Sequence, residues 1–373
     1  MVEIAKKPIL LLGASGTTGQ TIARLLDSSG IKLILAARKR QALEELANSL
    51  QAEHRIETVE ITAKLTHLLE QASLVINCVG PFTQYGTAIL EAAIEAGVSY
   101  LDITGEQAFI ASTIARFDAR AKDRAVSILP SAAFEFALGD LAAALIQNAF
   151  NSMETRLDKI EITYSFKNIA TSKGTNSSVI CALAAPAYHL EAGVLKEIKP
   201  GRGIEHLPAY INFNQFNRKD RSRFAFPGGE VFLVPLSNKS ISSIKTYLTS
   251  PLIKPTLVML AKSARLLASK YPGALKPLIN SSRQSLEEEK QAGTSFQILA
   301  EGWSFSNPDC SKRLVIKGTN PYRLTAAIVK ALTLALIEQG ESATRGVISP
   351  TMLLDHRILK KRLEQYGVRF IEA

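Results

Sequence analysis

Two hydrophobic patterns alternate along the first 150 residues. Residues 8–12 form an unbroken apolar run, which suits a parallel strand buried on both faces, and a segment with helical spacing follows. Strands are predicted there and at 32–37, 55–61, 74–79, 99–103 and 125–129. Helices are predicted from the first turn to residue 26 and at 41–50, 64–72, 87–96, 106–124 and 136–149. This alternation predicts an α/β fold with a Rossmann doubly wound parallel sheet, whose ligand site lies at the carboxyl ends of the strands.

From about residue 151 the apolar positions recur with a period of two, at 159–166, 230–236, 295–304 and 312–317. Such alternation is typical of antiparallel strands with one covered face. We therefore predict a nucleotide-binding domain at 1–150 and a second α+β domain, for substrate binding and dimerisation, at 151–320. A helix at 321–338 and the tail at 357–370 are expected to return to the first domain, so that 321–373 packs on it.

Three glycines spaced three apart end the first strand. Gly13 permits a sharp exit from the strand, Gly16 lets the backbone approach a diphosphate, and Gly19 lets the next helix pack closely. The helix then directs its free N–H groups and its positive end at the phosphate. An ordinary strand-to-helix turn is the alternative. Because the triplet follows an N-terminal strand and opens an amphipathic helix, we favour nucleotide binding.

The second strand ends at Arg38-Lys39-Arg40, where NAD-selective sites carry an acid for the ribose 2′-hydroxyl. A guanidinium at Arg38 can instead form two charge-assisted bonds with a 2′-phosphate. We therefore predict NADP(H) rather than NAD(H). The alternative is a solvated basic start to the next helix. The candidate cofactor-binding residues, including the edge that follows the fourth strand, are Gly13, Ser15, Gly16, Thr17, Thr18, Gly19, Arg38, Asn77, Val79, Gly80 and Pro81.

Hydride transfer also needs a proton donor, and three carboxylates follow predicted strands. Asp102 ends the fifth strand, Glu106 opens the next helix, and Glu135 follows the sixth strand. Each has a structural alternative as a helix cap or as a first-turn acid. Less favoured candidates are the phenols of Tyr85 and Tyr100, and Lys173 as a charge for an anionic substrate.

Composition restricts the class of protein. The 373 residues are 46% hydrophobic, enough for a large core, and the net charge of +10 lies within residues 151–320. A cationic domain favours an anionic substrate, thioester or bilayer, although it could serve only solubility. The three cysteines form no redox or metal pair, and the five histidines lack metal-site spacing, so we expect no metal. Without a signal peptide or membrane span, a cytoplasmic location is expected.

Two basic segments bear on partners. Four cations lie within 218–223, and 251–280 combines five cations with helical apolar spacing. The second segment could contact an anionic membrane peripherally or cover an acyl channel, and the alternative is a surface helix packed on its own core. No nucleic-acid motif accompanies these charges. The expected partner is a small-molecule or acyl-type substrate, and a second copy of the chain is a further candidate.

Several motifs together resemble the saccharopine dehydrogenase-like oxidoreductases. They are Gly13–Gly19, Ala36–Arg38, Asn77–Phe82 with Tyr85-Gly86, Tyr100–Glu106, and the C-terminal Gly346–Thr351. The nearest branch is that of the trans-acting enoyl reductases and related proteins of unknown substrate. One departure follows the sixth strand, where the family reads Gly-Phe-Asp-Ser-x-Pro-Ser-Asp-Leu and residues 133–141 retain only Phe134, Asp140 and Leu141 of that pattern. A more apolar substrate pocket is expected.

The sequence therefore predicts an NADP(H)-dependent oxidoreductase that acts on a carbonyl, an imine or an activated alkene, with an enoyl or acyl substrate weakly favoured. The alternative is an NADP(H)-binding redox sensor or scaffold without catalysis, of the NmrA-like type.

Overall fold

The computed structural model describes residues 7–60, 65–168, 187–198, 204–206, 222–249 and 293–372. The chain divides into two compact units. The first comprises Met1–Gly105, Phe109–Ala137 and Tyr322–Tyr366, and the second comprises Glu106–Ala108, Leu138–Pro321 and Gly367–Ala373. The division therefore falls inside one helix, at 137/138, rather than at residue 150 as the sequence suggested.

The first unit is built on a seven-stranded parallel sheet. Its strands are β1 Ile9–Leu12, β2 Leu33–Ala37, β3 Arg55–Thr58, β4 Leu74–Asn77, β5 Ser99–Asp102, β6 Ser127–Leu129 and β15 Gly346–Val347. Their order is β15-β6-β5-β4-β1-β2-β3. In register, Ile9 of β1 lies between Leu33 of β2 and Leu74 of β4, so the strand order reverses at β1 and β4. The predicted doubly wound sheet is confirmed.

The helices connect these strands. They are α1 Thr17–Asp27, α2 Arg40–Asn48, α3 Thr66–Glu70, α4 Phe82–Glu95, α5 Gln107–Asp123, α6 Phe134–Ser152, α8 Pro321–Gln339, α9 Pro350–Leu353 and α10 His356–Glu364, with a 3₁₀ turn at Gly340–Ser342. Helix α4 begins five residues before its predicted start at residue 87. Its first turns contain Gly86, which interrupts a helical pattern in the sequence. In the structure, a Cβ at Gly86 would lie 2.6 Å from the Phe109 ring of α5, so the glycine permits close helix packing.

A buried hydrogen-bonded pair, Asp27 and His54, connects segments at the amino ends of the strands. Asp27, at the end of α1, accepts hydrogen bonds from the Gln51 and Ala52 backbone N–H groups at 2.8 and 3.1 Å. Nε2 of His54 lies 2.8 Å from Asp27 Oδ1, and His54 Nδ1 accepts from Leu33 N–H. Because Nδ1 is an acceptor, Nε2 carries the proton that is donated to Asp27. The pair joins α1, β2 and the segment before β3.

The second unit contains a mixed sheet. Its strands are β7 Lys159–Lys167, β8 Ala187–Glu191, β9 Val194–Ile198, β10 Ile204–His206, β11 Ser222–Ala225, β12 Ser243–Thr249, β13 Ser295–Trp303, β14 Ser311–Thr319 and β16 Arg369–Glu372. The main order is β10-β11-β12-β7-β13-β14-β16, and β8 pairs with both β12 and β9. The described pairs are antiparallel except β7 with β12. The predicted second domain on a mostly antiparallel sheet is confirmed.

The strand predicted at 230–236 is wrong, because this segment forms the helix α7, Glu230–Ser237. Val231, Leu233 and Val234 are buried, and a short apolar run of this kind fits a strand or a helix equally well by periodicity. Gly228 and Gly229 precede it, and Glu230 occupies its first turn, where a carboxylate is favourable.

The last strand departs from the expected return of the tail. Helices α8 and α10 lie in the first unit, but β16 pairs with β14, with Phe370 opposite Ile316. The tail therefore contributes to both units. Within the described residues, no helix combines the length and apolarity that crossing a bilayer requires.

Candidate cofactor and active site

The glycine turn connects β1 to α1 beside the end of β4. Gly13 has φ +78°, in the left-handed region, and its N–H donates to Ala36 O at 2.8 Å. A Cβ at Gly13 would lie 3.0 Å from the Cys78 carbonyl, and one at Gly19 would collide with the Gly13 carbonyl oxygen. The turn therefore needs glycine at both positions, for the left-handed backbone and for the close approach of α1 to β1.

The N-terminus of α1 is open to an anion. Gly16 is the N-cap residue, is exposed, and provides no side-chain cap. Among the described residues, the backbone N–H groups of Thr17 and Thr18 have no protein acceptor, and the first turn contains no acid. A Cβ at Gly16 would lie 3.3 Å from Gly13 O, in space that a phosphate can approach. These donors and the helix dipole fit the diphosphate of a dinucleotide.

The cations that follow β2 differ in their partners. Arg40 pairs with Glu44 at 2.8 Å, within α2. Arg38 and Lys39 are exposed, and neither forms an ion pair within the part of the chain that the structure describes. Arg38 directly follows Ala37, the last residue of β2. The Ala36 carbonyl of the same strand accepts a hydrogen bond from Gly13 N–H of the glycine turn. It is therefore positioned beside the turn with its guanidinium available for a phosphate.

Asn77 organises the turn after β4. Its side chain is fully buried, its Oδ1 accepts from Val79 N–H at 2.9 Å, and its Nδ2 donates to Tyr100 Oη at 3.0 Å. The Cys78 N–H donates to Leu12 O at 2.9 Å, which joins the turn to β1. Pro81 is the N-cap residue of α4. The predicted cofactor residues of β1 and β4 are thus brought together, and Asn77 shapes this edge from within.

Asp102 joins the turns that follow β5 and β6. Its buried Oδ1 accepts from Thr104 N–H at 2.9 Å and from Ser131 N–H at 2.8 Å. Ser131 has φ +62° and donates its hydroxyl to Thr104 O at 2.7 Å. These contacts describe a structural role, and a catalytic role for Asp102 stays a prediction. Sequence reasoning missed Ser131, since a serine in the left-handed region gives no sequence signal.

Burial and the nearby charge of Asp102 raise the pKa of Tyr100 well above its usual value. The same two effects strongly raise the pKa of the Cys78 thiol. The thiol is therefore protonated at neutral pH, and Cys78 is not suited to act as a nucleophile. Tyr85, the other candidate phenol, is 37% exposed on α4.

Glu135 lies in the first turn of α6, one residue inside the helix rather than before it. Burial raises the pKa of its carboxyl to about 7, although its own backbone N–H favours the charged form. The helix start is held by Thr325 of α8, whose Oγ1 accepts from Phe134 N–H at 3.1 Å. Sequence reasoning identified Glu135 but could not identify Thr325, which lies 191 residues beyond Phe134 along the chain.

Glu106 is fully buried and belongs to the second unit. The neighbouring Gln107 donates to the Tyr188 and Gly228 carbonyls at 3.0 and 2.7 Å and accepts from Tyr188 N–H at 2.8 Å. This contact holds the beginning of α5 on the second unit's own strands. Lys173, most of the basic segment at 218–223, and the segment at 251–280 lie outside the described residues.

Comparison with known proteins agrees with this geometry. Residues 9–129 match the family model of the saccharopine dehydrogenase NADP binding domain. The match covers β1 to β6 and therefore includes the glycine turn and Arg38. The prediction of NADP as the cofactor is confirmed.

Three relatives extend the likeness. A lipid droplet localized protein of Caenorhabditis elegans is 25% identical over 62% of this chain and 59% of its own length. A saccharopine dehydrogenase-like oxidoreductase of Mus musculus is 29% identical over 46% of this chain and 45% of its own. A putative trans-acting enoyl reductase of Mycobacterium tuberculosis is 29% identical over 38% and 35%. The matches span about half the length of these relatives.

A solved structure, apo saccharopine dehydrogenase (L-Glu forming) from Saccharomyces cerevisiae, superposes with a TM-score of 0.65 at 12% identity. It covers 98% of this chain and 99% of its own. At this identity the likeness concerns the fold of both units. The resemblance drawn from the sequence is thus confirmed: the chain is similar to the saccharopine dehydrogenase-like oxidoreductases, and residues 9–129 match the model of the saccharopine dehydrogenase NADP binding domain.

Proposed function

We propose that this protein is an NADP(H)-dependent oxidoreductase that transfers hydride to or from a carbonyl, an imine or an activated alkene of a small-molecule substrate. The observation that carries the proposal is the anion-binding turn at Gly13–Gly19, at the point where the strand order reverses, with the unpaired Arg38 beside it. Ligands of open parallel sheets bind at such a reversal, outside the carboxyl ends of the strands.

Different elements of the first unit bind different parts of the coenzyme. The N–H groups of Thr17 and Thr18 bind the diphosphate, and Arg38 binds the 2′-phosphate. The turn after β4, held by Asn77, supports the nicotinamide half of the coenzyme. Bound NADPH supplies a hydride to the acceptor carbon. Glu135 supplies the proton that the oxygen, nitrogen or α-carbon of the substrate then requires, because its pKa of about 7 keeps it protonated in part at neutral pH.

An acyl-type substrate is the class that we favour. Phe134 and Phe136 are buried on either side of Glu135, which gives the start of α6 an apolar character. The name of the mycobacterial relative, an enoyl reductase, points in the same direction. Burial also raises the pKa of the Glu135 carboxyl, since desolvation disfavours its charge.

The test uses the purified full chain with NADPH and a panel of a short-chain enoyl thioester, a cyclic imine and a ketone. Loss of coenzyme absorbance with one of these substrates, and its abolition in Glu135→Gln, would support the proposal. Tight NADPH binding with no oxidation by any of the three would favour the sensor or scaffold. Glu91→Gln, which changes an exposed acid of α4 paired with Arg116, serves as the control and should leave the rate unchanged.

A further inference from the structure

One face of the second unit's sheet carries a line of polar residues in strict register. Ser165 of β7 lies opposite Gln297 of β13, which lies opposite Lys317 of β14. The line continues to Thr249 of β12 beyond Ser165 and to Arg369 of β16 beyond Lys317. Residues directly opposite one another in a sheet project to the same face. We call these five residues, which project together, the polar row.

The polar row is on the face opposite helix α6. A Cβ at Gly302 of β13 would lie 2.6 Å from Ile146 and 3.3 Å from Phe150, so α6 packs against the face to which Gly302 belongs. Gln297 is an odd number of residues from Gly302 and therefore projects to the other face. The apolar contacts that hold α6 on the sheet do not require Gln297.

Two members of the polar row contain buried atoms that lack a hydrogen bond. Ser165 is 1% exposed and Gln297 is 4% exposed. Neither Ser165 Oγ nor Gln297 Oε1 has a partner among the residues that the structure describes. Burying a polar group without a partner is unfavourable, and native proteins seldom tolerate it without a reason. Two such atoms on facing residues indicate a place where another molecule supplies the missing partner.

A neighbouring row on the same face provides a contrast. Glu161 of β7 and Glu301 of β13 are also opposite each other and buried. Glu161 is paired with Lys159 at 2.8 Å and with Arg223 at 2.6 Å, and Glu301 with Arg313 at 2.9 Å. The two carboxylates are therefore paired within the protein. Ser165 Oγ and Gln297 Oε1 have no hydrogen-bond partner among the described residues, although these two residues are equally well buried.

Cations surround the open end of the polar row. Lys317 is partly exposed and Arg369 is exposed, and Lys167, two residues after Ser165, is exposed on the same face. None of the three forms an ion pair within the described part of the chain. Ser295, which faces Lys167, and Gln297, which faces Lys317, are neutral. The row therefore passes from buried neutral groups to unpaired positive charge, which favours an anionic ligand.

We propose that the polar row binds a small anionic ligand, with its oxyanion at Lys317 and Arg369 and a neutral hydroxyl or carbonyl at Ser165 and Gln297. The oxyanion is a carboxylate or a phosphate, since both accept from ammonium and guanidinium groups. Leu299 and Val315, opposite each other two residues along the same face, offer an apolar surface for the carbon chain. The further step, that this ligand is the substrate of the hydride transfer, rests on the proposed function.

The test measures binding by calorimetry on the full chain saturated with NADPH. The probes are 3-hydroxybutyrate, which joins a hydroxyl to a carboxylate, and glycerol 3-phosphate, which joins one to a phosphate. Binding of one probe, but not of the uncharged 1,3-butanediol, is expected and identifies the oxyanion. Lys317→Gln should weaken that binding about 10-fold or more, and Gln297→Met about 5-fold. Lys312→Gln, an exposed cation on the other face of β14, is the matched control and should change nothing.

A second measurement separates a ligand site from a structural water. Gln297→Met keeps the side-chain length but removes the unpartnered oxygen, so the ligand-free variant should melt at the same temperature as the wild type or higher. A clearly lower melting temperature would mean that the oxygen is satisfied within the fold, and the proposal would be overturned. Absence of binding by both anions, or binding that is indifferent to Lys317→Gln and Gln297→Met, would overturn it too. Retained anion binding without any NADPH oxidation would contradict only the proposed function.

Discussion

Replacing Arg38 by Asp changes the charge at the end of β2 without disturbing an existing contact. Arg38 is exposed and forms no ion pair within the described residues, so its removal leaves no partner unsatisfied. Lys39, also unpaired, remains beside it. The substitution therefore acts on the coenzyme and not on the fold, and its effect should be confined to the ligand that carries a 2′-phosphate.

The size of the effect follows from the contacts that are lost. A guanidinium can form two charge-assisted hydrogen bonds with a phosphate, and each is worth about 1 to 1.5 kcal/mol at a solvent-exposed site. Loss of both weakens NADPH binding by about 2 to 3 kcal/mol, or roughly 30- to 150-fold. The new carboxylate adds repulsion of the phosphate and can accept from the ribose hydroxyls of NADH. The ratio of the NADPH and NADH dissociation constants should therefore rise by roughly 100-fold or more.

The assay is fluorescence titration of the full chain with NADPH and with NADH at fixed ionic strength, because exposed charge interactions weaken with salt. Arg40→Ala is the control, since the Arg40 guanidinium is held by Glu44, and it should change the ratio less than threefold. An equal ratio in wild type and Arg38→Asp would refute the assignment of Arg38 to the 2′-phosphate. The assignment of the diphosphate to Gly13–Gly19 would not be affected.

Three more outcomes are expected. Reduction by the wild type should be fastest below pH 7, and its rate should fall as Glu135 loses its proton near pH 7. In Glu135→Gln, kcat should be lower by about 100-fold or more and should no longer depend on pH in this range. An unchanged profile would exclude Glu135 as the acid. Gly19→Ala should abolish NADPH binding because its Cβ meets the β1 turn, while Gly105→Ala, with open space, should bind normally. Asp27→Asn should cost about 1 to 3 kcal/mol in denaturant unfolding at pH 7. Burial raises the pKa of Asp27, but hydrogen bonds from Gln51, His54 and Ala52 outweigh this effect, so the folded-state pKa is lowered. The stability that Asp27 contributes is therefore lost as the pH falls below about 4 and through the folded-state pKa. A difference between Asp27→Asn and the wild type that persists at low pH would contradict this.

The first unit could be predicted because its sequence features are local. Strands β1 and β2 are continuous apolar runs, and the turn at Gly13 needs glycine for steric reasons that a short motif records. The cofactor candidates therefore lie together as expected. The sequence could not show which hydrogen bonds the candidate side chains form. Asn77 and Asp102 accept from backbone N–H groups of turns that only the folded sheet brings near.

The second unit was less predictable because its strands depend on partners distant in sequence. The β8–β9 hairpin turns at Ala192 and Gly193, which have φ values of 51° and 77°. Alanine is unfavourable at a left-handed position, so the sequence contains no hairpin signal there. Val194 and Leu195 of β9 are exposed, and the strand therefore lacks the alternation that marks a covered sheet. The polar row could not be predicted from the sequence either, because it is defined by the register of four strand pairs.

The pKa shifts at the carboxyl edge of the first sheet restrict which group can donate a proton there. Asp102 accepts two backbone hydrogen bonds, and its charge, together with burial, raises the pKa of Tyr100 and Cys78 far above neutrality. A donor must also be able to release its proton near the working pH, and both of these groups hold theirs too tightly. Burial also raises the pKa of Glu135, from the range where a carboxyl is ionised at neutral pH to about 7. For a carboxyl this shift favours proton donation, because part of the group then stays protonated at neutral pH. In the function proposed above, the same desolvation disfavours Tyr100 and Cys78 as acids and favours Glu135, so the protonation of Glu135 should set the pH dependence of the reaction.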